Sequence, residues 1–250
     1  MKKMTPEQGR WPERTLPRMA LCLLAIAAAL AVAPAAGQKQ GKGADAGVLA
    51  PDKGKLQILL DGQPVGTEEF EIGSSADGWT AKGATDLHVP GAGRNRVNAT
   101  LELRADGAPK SYVWTSQSDK KNSAHVVFDG GGNAKIVLEM EGARPFQQEV
   151  MFGTPLVVVL DNNLYHHYEV LAHLYDWGKK GPQTFPVLIP QDMTPGTITA
   201  EATASQTVDG KTYEGLRVAT ADLEVMVHLD SAHRLMRLEV PAAKVSVLRE

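Results

Sequence analysis

Cysteine is almost absent from this chain of 250 residues. Cys22 is the single one, and it sits inside an N-terminal apolar run. Once that run is removed there is no thiol, so disulfides, cysteine nucleophiles and thiolate metal sites are excluded. That composition is compatible with an oxidising compartment. No small residues stand just before Cys22, so there is no lipidation box. Catalytic signatures are also missing. There is no Gly-x-Ser-x-Gly elbow, no phosphate-binding glycine loop and no dinucleotide fingerprint. Regular alternation of strand and helix is lacking, which argues against a parallel α/β sheet. An excess of positive charge is lacking too. The formal net charge is -3, and nothing in that balance favours nucleic acid.

What the chain does contain begins with a leader. Lys2, Lys3, Arg10, Arg14 and Arg18 precede the apolar run Met19 to Val32, and Ala33-Pro-Ala-Ala36 offers small residues for cleavage. Residues 1–36 therefore read as a secretory signal peptide, and a periplasmic or secreted protein is expected. The apolar run is shorter than a transmembrane helix needs. Loss of the leader removes five basic and two acidic residues and takes the net charge from -3 to -6. Residues 37–55 are Gly, Ala, Lys and Asp without apolar periodicity and read as a flexible tether. Residues 56–250 read as a single domain.

That domain is patterned for strands. Leu56 to Leu60 and Val65 to Ile72 flank an Asp61-Gly62 turn, a hairpin signal. Trp79 to Val89, Val97 to Arg104, Lys110 to Gln117, Ala124 to Phe128, Asn133 to Glu141 and Phe146 to Phe152 follow. Leu156 to Leu160 is short and wholly apolar, hence buried. Later strands are read at Thr184 to Ile189, Gly196 to Ser205, Leu216 to Thr220, Leu223 to Leu229, Leu235 to Val240 and Lys244 to Leu248. Pro186 marks its strand as an edge or bulge. The fold class is mainly β: one large curved antiparallel sheet of roughly ten or more strands, a half-barrel or open barrel, because sheets of that size curl or close.

One stretch breaks the pattern. From Asp161 to Trp177, Leu164, Tyr168, Leu171 and Tyr175 recur at i, i+4, i+7 and i+11, an amphipathic helix. Asp161, Asn162 or Asn163 can cap its start, and Gly178 can end it. The opposite face carries His166, Glu169 and His173, side chains close enough on a helix to meet one metal ion. A solvated polar face is the competing reading, with the helix acting as lid or brace of the sheet.

The leading hairpin with Asp61-Gly-Gln-Pro-Val-Gly-Thr-Glu-Glu-Phe70, the alternating strands, the central helix and the late Val227-His-Leu-Asp-Ser-Ala-His-Arg-Leu-Met-Arg-Leu-Glu-Val-Pro241 form a layout. It resembles uncharacterised bacterial secreted or periplasmic domains built as curved antiparallel sheets. These are similar in architecture to lipoprotein-carrier (LolA/LolB-like) proteins. The Gly66-x-Glu68-x-Phe70 and Asp230…Arg234-Leu-x-Arg237 patterns are structural in character. No catalytic residue follows from the resemblance, and neither does the carrier activity, because fold does not imply function.

These readings define three candidate functions. The favoured one is a non-catalytic binding or carrier module of the cell envelope for an apolar or amphipathic ligand, such as a lipid. Its cavity would be lined by Tyr112, Trp114, Leu164, Tyr168, Leu171 and Tyr175. The second is a metal-dependent hydrolase on His166, Glu169 and His173, although their spacing is not His-Glu-x-x-His. The third is an envelope scaffold that binds another protein. No cofactor is expected, and a monomer is. Among the carboxylates, Glu68, Glu69 and Glu71 are close enough for acid–base work, but a solvated strand face explains them more simply.

Overall fold

The computed structural model describes residues 48–250 apart from Lys180 and Asp209. The leader, and the tether as far as residue 47, lie outside the described residues. The tether reading ends too late. Leu49 is buried in the core, and the first strand, β1, spans Asp52–Leu60. Its first four residues carry no apolar signal, because Lys53 and Lys55 point outward or sideways and Gly54 fills the inner face.

Fourteen further strands follow. They are β2 (Gln63–Ser75), β3 (Gly78–Val89), β4 (Gly93–Arg104), β5 (Pro109–Gln117), β6 (Lys121–Phe128), β7 (Asn133–Met140), β8 (Phe146–Met151) and β9 (Val158–Val159), then β10 (Gln183–Ile189), β11 (Thr194–Val208), β12 (Lys211–Ala219), β13 (Glu224–Leu229), β14 (Leu235–Val240) and β15 (Val245–Arg249). All belong to one sheet, ordered β8 back to β1, then β15 back to β9. Every pairing is antiparallel except the two-residue β9·β10 contact. Two meanders thus meet at a central seam where Leu56 pairs with Arg249 and Leu60 with Val245.

Local chemistry explains the meanders. Asp61 and Gly62 both take positive φ, 50° and 75°, as a two-residue hairpin turn matched to strand twist requires. Two other connections share a device. Pro190 and Pro241 each open a 3-10 turn, and the residue that follows it, Met193 or Lys244, is left-handed and returns its N–H to the proline carbonyl.

Alternation then builds the core. Ile72, Ala81, Leu101, Tyr112, Val126 and Ile136 are register partners across six consecutive strands, and none is more than 1% exposed. A second row runs from Leu216 through Val227, Leu238 and Val247 to Ile58, crossing the seam. Burying each large aliphatic side chain is worth about 1.5–3 kcal/mol, so these rows supply the main driving force.

Pro186 pairs with Thr197 on one side, whereas the short β9 reaches only Val187 and Leu188 on the other. A proline with no ladder partner on that side fits the expected edge position.

The helix α1 spans His167–Leu174, eight residues, half the length that the periodicity predicts. The flanks are tied elsewhere. Asp161 does not cap the helix, because its carboxyl is used by other partners. The N-cap is His166, with no side-chain cap. Tyr175 is extended, and Trp177 folds back to donate its indole N–H to the Ala172 carbonyl at 2.8 Å. No helix among the described residues is long and apolar enough to cross a membrane.

The helix lies inside the curve, seated in notches left by glycine. A Cβ at Gly83 would collide with the His166 ring and lie 3.0 Å from Glu68 Oε1, and one at Gly107 would collide with Leu174. Gly83→Ala should therefore cost about 1–3 kcal/mol, the range for overpacking a filled core, with backbone φ itself permitting alanine. Urea unfolding of the variant checks this. An unchanged midpoint would remove the notch from the account.

Candidate functional site

The helical segment is attached to the sheet by three buried carboxyl groups. Glu68 shares the inner face of β2 with Phe70 and Ile72 and is fully buried. Its Oε2 accepts the Tyr165 N–H at 2.7 Å, and its Oε1 lies 2.5 Å from His166 Nδ1. Glu169, on α1, accepts the Leu235 N–H of β14 at 2.7 Å. Asp161, in the link from β9, meets the Tyr112 hydroxyl at 2.5 Å and accepts N–H groups from Asn162 and Gln191. Thr85 adds a hydroxyl bond to the Asn163 carbonyl at 2.6 Å. The segment is therefore held to β2, β3, β5, β14 and the 3-10 turn after β10.

Burial dominates the electrostatics. It raises Glu68 and Glu169 to about 8 and Asp161 to about 7. It lowers His166 to about 3 and His167 well below its usual value. Glu68 and His166 thus form a neutral pair, in which the carboxylic acid donates to Nδ1 and its other oxygen accepts the backbone N–H. His167 Nδ1 accepts the Asp161 N–H at 3.3 Å, which leaves its proton on Nε2.

One cation joins the assembly. Arg249 of β15 makes a two-point ion pair with Asp52, at 2.7 and 2.9 Å. It lies 3.8 Å from Glu169 and stands over the Phe70 ring at 5.4 Å. Phe70 in turn stacks on His166 at 5.8 Å.

The expected metal set is taken apart by this arrangement. His166 faces Glu68, Glu169 faces the Leu235 amide, and the His173 ring meets His233 edge-on at 6.2 Å. Among the described residues no three His, Cys, Asp or Glu side chains converge as a metal cluster. The polar face of the helix is not solvated either: His166, His167 and Glu169 are fully buried. The reason is the surrounding sheet, which covers both faces of so short a helix.

The expected cavity lining also shifts. Tyr112, Trp114, Leu164, Leu171 and Tyr175 are packed in the core, at most 4% exposed. Of the six only Tyr168 lines an open space. That space is a cavity of about 100 Å³ between the helical segment and β10 to β15, walled by Val187, Ile198, Val218, Leu223 and Val225. Sequence reasoning missed this second meander as a wall, and missed Glu68 as an inward residue. The signal for Glu68 was present: alternation puts it on the side of Phe70, and Glu69 and Glu71 on the exposed side.

The paired titrations have a sign. Between pH 4.5 and 8 the folded protein keeps protons on Glu68 and Glu169 that the unfolded chain releases, so these two groups lower stability as pH rises. His166 acts oppositely between about 3 and 6.5, where the unfolded chain holds the extra proton. Above 6.5 the carboxyl groups are unopposed. Thermal stability should fall from pH 6.5 to 8, by up to about 1.4 kcal/mol per pH unit for each group. Glu68→Gln keeps the donor–acceptor pattern of the acid and should flatten that fall. A variant with the same slope as the parent would show that Glu68 is already ionised.

No protein-family model matches the chain, and no curated protein matches it. The solved structures that resemble it include two of bacterial origin. One is a beta-barrel-like protein of the domain of unknown function DUF1849 from Brucella abortus, with a TM-score of 0.54, 14% identity, 81% of this chain covered and 95% of that one. The other is a DUF1089 family protein from Pseudomonas aeruginosa, with a TM-score of 0.45, 10% identity, 83% of this chain covered and 98% of that one. The first likeness establishes a beta-barrel-like fold, in agreement with the curved antiparallel sheet read from the sequence.

Proposed function

We propose that this protein is a non-catalytic binding or carrier module of the cell envelope, exported by its leader. It holds the apolar end of a small or amphipathic ligand between the helical segment and the second meander. The observation that carries this reading is the cavity of about 100 Å³ with mainly aliphatic walls. Pockets for small molecules are concave and mostly apolar, with a few polar groups that orient the ligand.

The size of the cavity limits what it takes. Apolar cavities of about 150 Å³ accept a benzene-sized molecule; this one is smaller, so it takes a short branched alkyl group or one edge of a ring. The rest of an amphipathic ligand would lie outside. The buried clamp argues against chemistry at the helix histidines: the rings of His166 and His167 are fully enclosed, with the Nδ1 of each engaged by Glu68 or by the Asp161 N–H.

Purification from the native host, solvent extraction and mass spectrometry test the reading. A defined apolar molecule should accompany the protein. Ala243 lines the cavity and is only partly buried, so Ala243→Phe should fill the space, keep the fold and deplete that molecule at least about fivefold, the loss expected when roughly 1 kcal/mol of apolar contact is blocked. A protein that yields no such molecule, or a variant that retains it fully, would refute the assignment.

A further inference from the structure

The walls of the cavity say more than that it is apolar. The residues that line it include no lysine, arginine or histidine. Asp161 is the carboxyl group among them, and both its oxygens are occupied, one by the Tyr112 hydroxyl and one by two backbone N–H groups. It therefore offers no free anion to a cation. Asn162 is engaged in part: its side-chain N–H donates to Asp192 and its backbone carbonyl accepts from Gln191. The Asn163 carbonyl accepts from Thr85.

Tyr168 differs. It lines the cavity, and its hydroxyl has no hydrogen-bond partner among the described residues. Burial alone acts on that hydroxyl and pushes it up to about 12. It is thus a protonated donor at any physiological pH, next to aliphatic surface. Tyr168 is half-buried, and its hydroxyl stands at the cavity with no protein acceptor among the described residues, open to an acceptor on a ligand.

We infer that the cavity selects neutral ligands made of a compact apolar group bearing one hydrogen-bond acceptor, such as a ketone, ester or ether oxygen, which the Tyr168 hydroxyl engages, and that it rejects carboxylates. This rests on the binding reading above and narrows it. A carboxylate placed there would lose its hydration without gaining a cation, and it would stand beside Asp161. Free fatty acids are therefore poor ligands, whereas an esterified or ketonic group fits.

Three probes of one ring each separate the possibilities: acetophenone, which is neutral with an acceptor; toluene, which is neutral without one; and benzoate, which is anionic. Binding to the full chain is read by ligand-observed NMR titration. Acetophenone should bind about tenfold or more tightly than benzoate, since 1.4 kcal/mol of unpaid desolvation is a factor of ten. Tyr168→Phe keeps the ring and should weaken acetophenone about threefold to tenfold, the worth of one hydrogen bond. Toluene should be unchanged by that substitution. If all three bind the parent equally, or benzoate binds best, the pocket reading stands and the selectivity inference falls. An unaltered acetophenone affinity in Tyr168→Phe overturns the role of the hydroxyl. If none of the three binds, the binding reading itself falls. Should Tyr168→Phe fail to fold, as thermal unfolding would show, the comparison of acetophenone with benzoate on the parent chain still decides the selectivity.

Discussion

The short contact between Glu68 and the first turn of the helical segment is the constraint on which the interior depends. A carboxyl group in a dry interior is costly unless its partners are complete. Here one side chain reaches from the middle of β2 to satisfy a backbone N–H and an imidazole on a segment nearly a hundred residues later. Glu169 and Asp161 repeat the device toward β14 and β5. Polar groups placed inward at three points give the helix one position and one rotation, which apolar packing alone would leave loosely specified. Gly83 is small because the His166 ring occupies the room that a side chain would take.

This explains how a helix of two turns can matter in a sheet of fifteen strands. Too short to be stable alone, it is formed by its surroundings. Its presence divides the hollow of the sheet. The first meander packs directly against it and is filled. The second meander leaves a gap on the Tyr168 side, and that asymmetry produces the cavity. Arg249 links both parts, since it pairs with Asp52 on β1 and approaches Glu169 on the helix.

The sheet was legible residue by residue. Strict alternation, as in Leu101 and Leu103 against Glu102 and Arg104, marks inward and outward faces wherever one side meets water, and turn pairs such as Asp61-Gly62 mark the ends. What period alone does not show is which neighbour an inward polar residue meets. Glu68 looked like one member of an acidic run, because its partner lies nearly a hundred residues away. The histidines of the helix looked solvated because a helical wheel assumes water on the polar side, whereas the curved sheet encloses it. The helix is shorter than its period for a related reason: Tyr175 keeps the apolar period but turns toward Gly181, and Trp177 turns back on the helix. Strand β1 began earlier than its sequence suggests because its first inward positions are Asp52 and Gly54, matched by Arg249 rather than by aliphatic packing.

The seam between β1 and β15 has a consequence for how the chain reaches this state. The strands that form first and last in chain order are paired at the middle of the sheet, not at its rim. During synthesis β1 can gain β2 at once, but its other edge stays bare until Val245–Arg249 has been made. An unpaired edge of that kind invites pairing with other chains. Contacts this distant in sequence also slow folding, because the loop must close before the contact repays it. The Arg249–Asp52 pair, which spans almost the whole described chain, therefore forms only after β15 has been made, and closure of the seam waits on it. Closure of the sheet interior thus waits for β15.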